Sequence, residues 1–120
     1  MANPLLIHCT YGKEDAERAI LPFIVGNVAV TADQEATIFL TIEGVRLATK
    51  GYAEQVNKDG FTPLKEIIDS FLANGGKIWA CGACTKPRGI TEADLIEGAS
   101  IVTAANLVEA LVNGSISCTV

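Results

Sequence analysis

Five short apolar runs alternate with stretches of helical spacing along the whole of this 120-residue chain, and that alternation points to one kind of architecture. The runs are Pro4-Leu5-Leu6-Ile7-His8-Cys9, Ala36 to Ile42, Lys77 to Ala80, Ala99 to Thr103 and Ser115 to Val120. Each is too short for a buried helix and is bounded by turn residues, which reads as a strand. Helices are predicted from Glu14 to about Thr31, from Thr62-Pro63 to Asn74, and from Asn106 to Val112. Acidic residues open the first of these, and Pro22 should kink or restart it. Thr62 is read as the N-cap of the second, with Pro63 at its first helical position. Leu64, Ile67, Ile68, Phe71 and Leu72 then share one face. Thr91, with Asp94 three residues on, marks a further helix start. Val45 to Phe61, with Gly51 and Gly60, reads as a long functional loop with a helical turn. Strands that alternate with helices build a mostly parallel sheet with both faces covered. Ligands bind such sheets beyond the carboxyl ends of the strands. Cys9, Glu43 and Cys81 all fall at such ends.

The length suits a single domain over residues 1–120 that buries its own core, and no linker, repeat or low-complexity stretch divides it. Charged residues make up only 19% of the chain and apolar ones 49%, whereas about 25% charged is usual. Two explanations fit: apolar surface covered by another subunit, or a large core in a compact domain. The net charge of −5 argues against nucleic acid, which needs Lys and Arg to neutralise phosphates. No run of about 18 apolar residues is present, so no membrane span is expected. The first ten residues lack the basic and apolar regions of a signal peptide, which makes the cytoplasm the expected location. In that reducing compartment Cys9, Cys81, Cys84 and Cys118 are expected to be thiols.

The most informative segment runs from Trp79 to Ile90: Trp79-Ala80-Cys81-Gly82-Ala83-Cys84-Thr85-Lys86-Pro87-Arg88-Gly89-Ile90. Cys81 falls where a strand gives way to a turn or helix, and free N–H groups there favour an anion. Lys86 and Arg88 bring positive charge close by, which should raise the thiolate fraction. Gly82 allows close approach to the sulfur. Cys81 is therefore expected to be the more reactive thiol, with Cys84 one turn on and deeper. The plainer alternative is a pair of buried, inert cysteines.

Three chemistries use Cys-x-x-Cys. Zinc needs four ligands, and His8, Cys9 and Cys118 complete no standard spacing with this pair. Dithiol exchange is a second use. Here the segment resembles thioredoxin only superficially, because Ala80 separates Trp79 from Cys81 and Ala83 stands where a proline is usual. The third is sulfur transfer through a persulfide, which needs one activated thiol. Elsewhere, His8 is the only histidine and reads first as structural. Cys9 and Cys118 read as packing, although Cys9 could also face the crevice, and Trp79 as core or interface. Glu43 is a candidate to accept a hydrogen bond within the site. There is no paired-carboxylate, Ser-His-Asp or phosphate-loop pattern, and no cofactor or metal is expected.

Cys81, six residues, then Arg88-Gly89-Ile90 resembles the signature of the DsrE/DsrF family, which includes TusD-type sulfur-relay subunits. Glu43-Gly44-Val45, Asn74-Gly75-Gly76-Lys77-Ile78 and Glu97-Gly98-Ala99 are similar to the same family, so the resemblance spans nearly the whole chain. It implies a three-layer α/β/α sandwich with a five-stranded parallel sheet, self-assembly to a homo-trimer or hexamer, and sulfur donor and acceptor proteins as partners. It also implies that Cys81 takes up and passes on persulfide sulfur, with Arg88 fixing the register. Cys84 departs from the relay pattern, in which a small apolar residue stands there. The reading is therefore a sulfur carrier on Cys81, with Cys84 a possible resolving thiol and Arg88, Gly82, Lys86, Glu43 and Cys9 around it. The rival is a non-catalytic oligomeric module of the same fold that binds a small ligand or a metal.

Overall fold

A computed structural model describes residues 2–120. Five strands form one sheet: β1 (Leu5–Cys9), β2 (Ala36–Leu40), β3 (Lys77–Cys81), β4 (Ala99–Val102) and β5 (Ile116–Thr119), in the order β4-β3-β2-β1-β5. Every pairing is parallel, with Leu5 beside Ala36 and Ile116, Ile38 beside Ile78, and Cys81 beside Val102. The helices are α1 (Ala16–Thr31), α2 (Leu64–Ala73), the single turn α3 (Gly82–Thr85) and α4 (Ala104–Val112). The chain is an α/β protein with the expected five-stranded parallel sheet.

Strand alternation divides the side chains between two layers. Ile7, Cys9, Ile38, Leu40, Ile78 and Ala80 enter the main core, against Ile20 and Phe23 of α1 and Leu64, Ile68 and Phe71 of α2. Leu6, Phe39 and Val102 form a smaller cluster on the other side, with Trp79, Cys81 and Leu107 of α4 packed on it. Parallel strands require a crossover after each one, and crossovers of one hand keep α1 and α2 on one face. The link from β4 must return across the whole sheet to reach β5, and α4 lies in that link on the opposite face.

Several boundaries differ from those read in the sequence. Pro22 does not restart α1, which runs unbroken from Ala16 to Thr31 with Pro22 buried inside it. Asp15 caps this helix, accepting from the Arg18 amide at 3.1 Å. A proline's missing N–H costs one hydrogen bond, and burial of Ile20, Phe23 and Val30 holds the helix despite it. Thr62 is not the cap of α2; Pro63 occupies that position and offers no side-chain hydrogen bond. The Thr91–Asp94 capping box forms, but it opens only one 3₁₀ turn, Glu92–Asp94. A true capping box instead starts α4, where Thr103 and Asn106 bond reciprocally. The segment read as a loop with a helical turn carries 3₁₀ turns at Ile42–Ala48 and Ala53–Gln55 and is irregular elsewhere. Val45, Leu47, Ala48 and Val56 are buried there, so it works as core as well as connection.

Phe71 shows how tightly the main layer closes. Its ring meets Phe23 edge-on at 6.1 Å and lies between Gly26 and Gly76. A Cβ at Gly76 would fall 2.4 Å from the ring, and one at Gly26 would fall 3.0 Å from it. The ring is boxed from both sides and has nowhere to move. Gly76→Ala is expected to cost about 1–3 kcal/mol as overpacking. Urea unfolding measures it, and a loss below about 0.5 kcal/mol would mean the ring can step aside.

Candidate functional site

The carboxyl ends of β1, β2 and β3 gather the turns that carry the candidate residues. Cys81 is the last residue of β3 and occupies the cap position of α3, with φ −67° and ψ 122°. Its side chain is half-buried on the α4 side of the sheet. There it lines a pocket of about 260 Å³ with His8 and Thr41, between Leu6 and Phe39 of the sheet and Leu107 and Leu111 of α4. Cys84, one turn on, is also half-buried; both thiols pack against the main core, and Cys81 packs against the smaller cluster as well. All four cysteines are free thiols.

The Arg-Gly-Ile element has a separate physical reason for each residue. Arg88 donates from Nε to Glu43 Oε1 at 2.8 Å and from Nη1 to the Cys84 carbonyl at 3.1 Å. Gly89 turns the chain at φ +70°, a left-handed conformation that favours glycine. Ile90 then enters the main core, its amide donating to the Thr85 carbonyl at 3.1 Å. Glu43 also accepts from Arg46 Nε at 2.9 Å. One carboxylate therefore ties the turn after β2 to the Cys-x-x-Cys turn after β3. Hydrogen bonding from Arg88, and then from Arg46, holds the Glu43 carboxyl below its usual value. Arg88 is thus not the free cation the sequence suggested, because Glu43 neutralises it. Lys86 is exposed.

Gly82 has a different use from the one expected. A Cβ there would fall 3.2 Å from the Val102 carbonyl and 3.4 Å from Ile101. Its smallness lets α3 start flush against β4, whatever approaches the sulfur. Cys9 needs a fuller correction. It ends β1 at the same edge as Cys81, but it faces α1 and α2, on the other side of the sheet, and is buried in the main core. Its thiol donates to the Tyr11 carbonyl at 3.6 Å, and burial pushes its pKa up to about 11. The structure therefore does not bring Cys9 into the crevice with Cys81. Among the described residues, no three His, Cys, Asp or Glu side chains cluster as metal ligands.

Sequence reasoning missed two features. His8 Nε2 and Thr41 Oγ1 share a 2.8 Å hydrogen bond inside the pocket, and burial lowers the His8 pKa, keeping the ring neutral. The two-residue period of the strands puts His8 and Cys81 on one face, and that was the available signal. Ile42, next to Thr41 and Glu43, has φ +56° although β-branched, and is 53% exposed. Such a residue in the left-handed region is strained by about 1–3 kcal/mol, and nothing in its local sequence announces this.

A family model described as DsrE/DsrF-like matches residues 4–116. The uncharacterized protein MJ0760 of Methanocaldococcus jannaschii is 35% identical over 102 residues, covering 85% of this chain. The chain spans only 37% of that relative's length. The uncharacterized protein MK0008 of Methanopyrus kandleri is 37% identical over 98 residues, covering 82% of this chain and 75% of its own. Among solved structures, the ychN protein of E. coli superposes with a TM-score of 0.81 at 18% identity, over 99% of this chain and all of that one. A protein of Methanobacterium thermoautotrophicum, MTH1491, superposes with a TM-score of 0.73 at 17% identity, again over 99% of this chain and all of that one. At those identities the likeness is one of fold.

Two measurements probe the site's electrostatics. In native protein at pH 8, iodoacetamide followed by mass spectrometry is expected to modify Cys81 and to leave Cys9 untouched until denaturant is added. Rapid native labelling of Cys9 would contradict its burial. For Glu43, a folded-state pKa below the unfolded value means that its stabilisation is present above that value, near 4.5, and is lost as pH falls through the folded value. Glu43→Gln is thus expected to be less stable than wild type at pH 7, with the gap closing as the solution is acidified below about pH 4.5. Urea unfolding across that range reads it, and a gap that stays constant with pH would remove the charge from the explanation.

Proposed function

We propose, from the premise that this chain belongs to the DsrE/DsrF-like family, that it accepts sulfane sulfur on Cys81 and passes it to an acceptor thiol. The observation that carries this reading is the different setting of the strand-end thiols. Cys81 lines a pocket at the carboxyl end of β3, while Cys9 at the same edge is sealed in the core. Nucleophilic sulfur chemistry needs an accessible thiol at a fixed position. The Glu43–Arg88 pair and the Arg88 bond to the Cys84 carbonyl supply that fixity by holding the turn from outside.

In the first step the Cys81 thiolate attacks the outer sulfur of a persulfide donor. A new Cys81 S–S bond forms, the donor's S–S bond breaks, and the donor leaves as a thiolate that takes up a proton. Transfer to an acceptor thiol repeats this exchange. The Cys84 thiol offers a second exit: its attack on Cys81–S–SH gives the Cys81–Cys84 disulfide and hydrogen sulfide, with atoms and charge conserved. The carrier works as a homo-oligomer, a trimer or hexamer. Exposed apolar side chains on the outer side of α4, Val108 and Val112, support self-association. The cytoplasm is the compartment this reading gives the carrier, and no helix among the described residues is long and apolar enough to cross a membrane.

Intact-mass spectrometry after brief exposure to inorganic polysulfide tests the role of each thiol. Wild type is expected to gain sulfur in 32 Da steps, a mass fixed by the element and not by this protein. Cys81→Ser is expected to gain none, and Cys84→Ser to load as wild type does but to release sulfide at least about tenfold more slowly. Loading that survives Cys81→Ser would overturn the assignment. Light scattering that shows only a 12.6 kDa species at micromolar concentration would overturn the oligomer.

A further inference from the structure

We propose that the pocket between α4 and the sheet is the seat of a small, uncharged, apolar organic persulfide, which presents its terminal sulfur to Cys81. The inference rests on the reading of Cys81 as a sulfur acceptor and adds the class of donor. No Asp, Glu, Lys or Arg lines the pocket. Leu6, Phe39, Leu107 and Leu111 form its body, and Cys81, the hydrogen-bonded His8–Thr41 pair and the Ser117 hydroxyl supply its polar, uncharged groups. Burial keeps His8 neutral. A donor that carries carboxylates or an ammonium group would enter without a counter-charge, and removing an unpaired charge from water is costly. An alkyl or aryl group meets matching walls, and its release from water favours binding. At about 260 Å³ the space falls just below the ~300–1,000 Å³ typical of ligand sites, which suits a compact organic group and not a peptide.

The charged groups of the region lie elsewhere. Arg88 and Arg46 are both engaged by Glu43, and none of the three lines this pocket. The site therefore offers a charged donor no anchor beside the sulfur. With R–S–S–H seated, the Cys81 thiolate attacks its terminal sulfur. The Cys81 S–S bond forms, the donor's own S–S bond breaks, and R–S⁻ leaves with the electron pair and takes the proton that Cys81 shed. Among the polar groups that line the pocket, the His8 imidazole, bonded to the Thr41 hydroxyl, is the one able to hold that proton on the way. No external oxidant or reductant is needed.

The test compares three donors on the full chain by timed intact-mass spectrometry: benzyl persulfide, glutathione persulfide and inorganic polysulfide. Leu107→Trp and Leu111→Trp fill the pocket from α4. Leu111 is the more exposed of the two, so its variant decides the matter if circular dichroism shows Leu107→Trp unfolded. Wild type is expected to load from benzyl persulfide about tenfold faster than from glutathione persulfide, and a tryptophan is expected to slow benzyl loading about tenfold and by more than it slows polysulfide loading. If glutathione persulfide matches benzyl persulfide, or if the folded tryptophan variants load from benzyl persulfide as wild type does, the donor does not sit here; a second copy covering the pocket gives that same result. Either result overturns the pocket while polysulfide loading on Cys81 keeps the carrier reading standing. If Cys81 takes sulfur from none of the three, the carrier reading falls, and the donor class falls with it.

Discussion

An all-parallel sheet in the order β4-β3-β2-β1-β5 is the constraint from which the other features follow. Parallel neighbours cannot be joined by a tight turn, so each strand delivers its chain to the same edge before crossing over. The turns after β1, β2 and β3 are therefore neighbours in space although far apart in sequence. The two faces are unequal for the same reason. α1 and α2 fill one side with Phe23 and Phe71 at its centre. The other side has the nine-residue α4, carried there by the long return from β4 to β5. A single short helix over a five-stranded sheet leaves a gap, and Cys81 opens into it.

The carboxylate of Glu43 converts that nearness into rigidity. It holds Arg46 from its own turn and Arg88 from the turn after β3, and Arg88 in turn holds the carbonyl of Cys84. An exposed ion pair adds little to stability. Bridging two turns that share no backbone hydrogen-bond ladder is a matter of position, because it fixes where one thiol sits relative to the next strand. The neighbouring 3₁₀ segment is joined to the β3–β4 connection by the Ile96 amide on the Ala48 carbonyl at 2.8 Å and the Lys50 amide on the Asp94 carbonyl at 2.9 Å. The strain at Ile42 sits within this braced rim.

The five strands, the parallel sheet and the placement of Cys9, Glu43 and Cys81 at one edge were all legible in the sequence, because short apolar runs and turn residues are local signals. The link between Glu43 and Arg88 was visible only as two separate motifs; a sequence separation of 45 hides a contact that the fold creates. The cap of α2 went wrong because Thr62-Pro63 satisfies the usual spacing one residue too early. Cys9 was read as a site candidate because its position along the strand was clear, while the face it takes depends on which side α1 packs. His8 was weighed and read first as structural, and Thr41 stayed hidden, since neither belongs to a motif. Their meeting needs β1 and β2 to pair in register, His8 beside Phe39.

The two faces of the sheet also carry a rule of parity. Ala80 and Cys81 are consecutive, yet one belongs to the main core and the other lines the pocket. Cys9 and Cys81 end adjacent-but-one strands at the same edge and differ by that one step. A single inserted or deleted residue ahead of the last position in β3 would turn its thiol from an open chamber into sealed interior, with every other residue unchanged. In a lineage that diversifies by small insertions and deletions, the β3 frame is thus a binary switch between a chemically available sulfur and a silent one. Drift in this stretch should be tolerated as substitution and purged as a change of length.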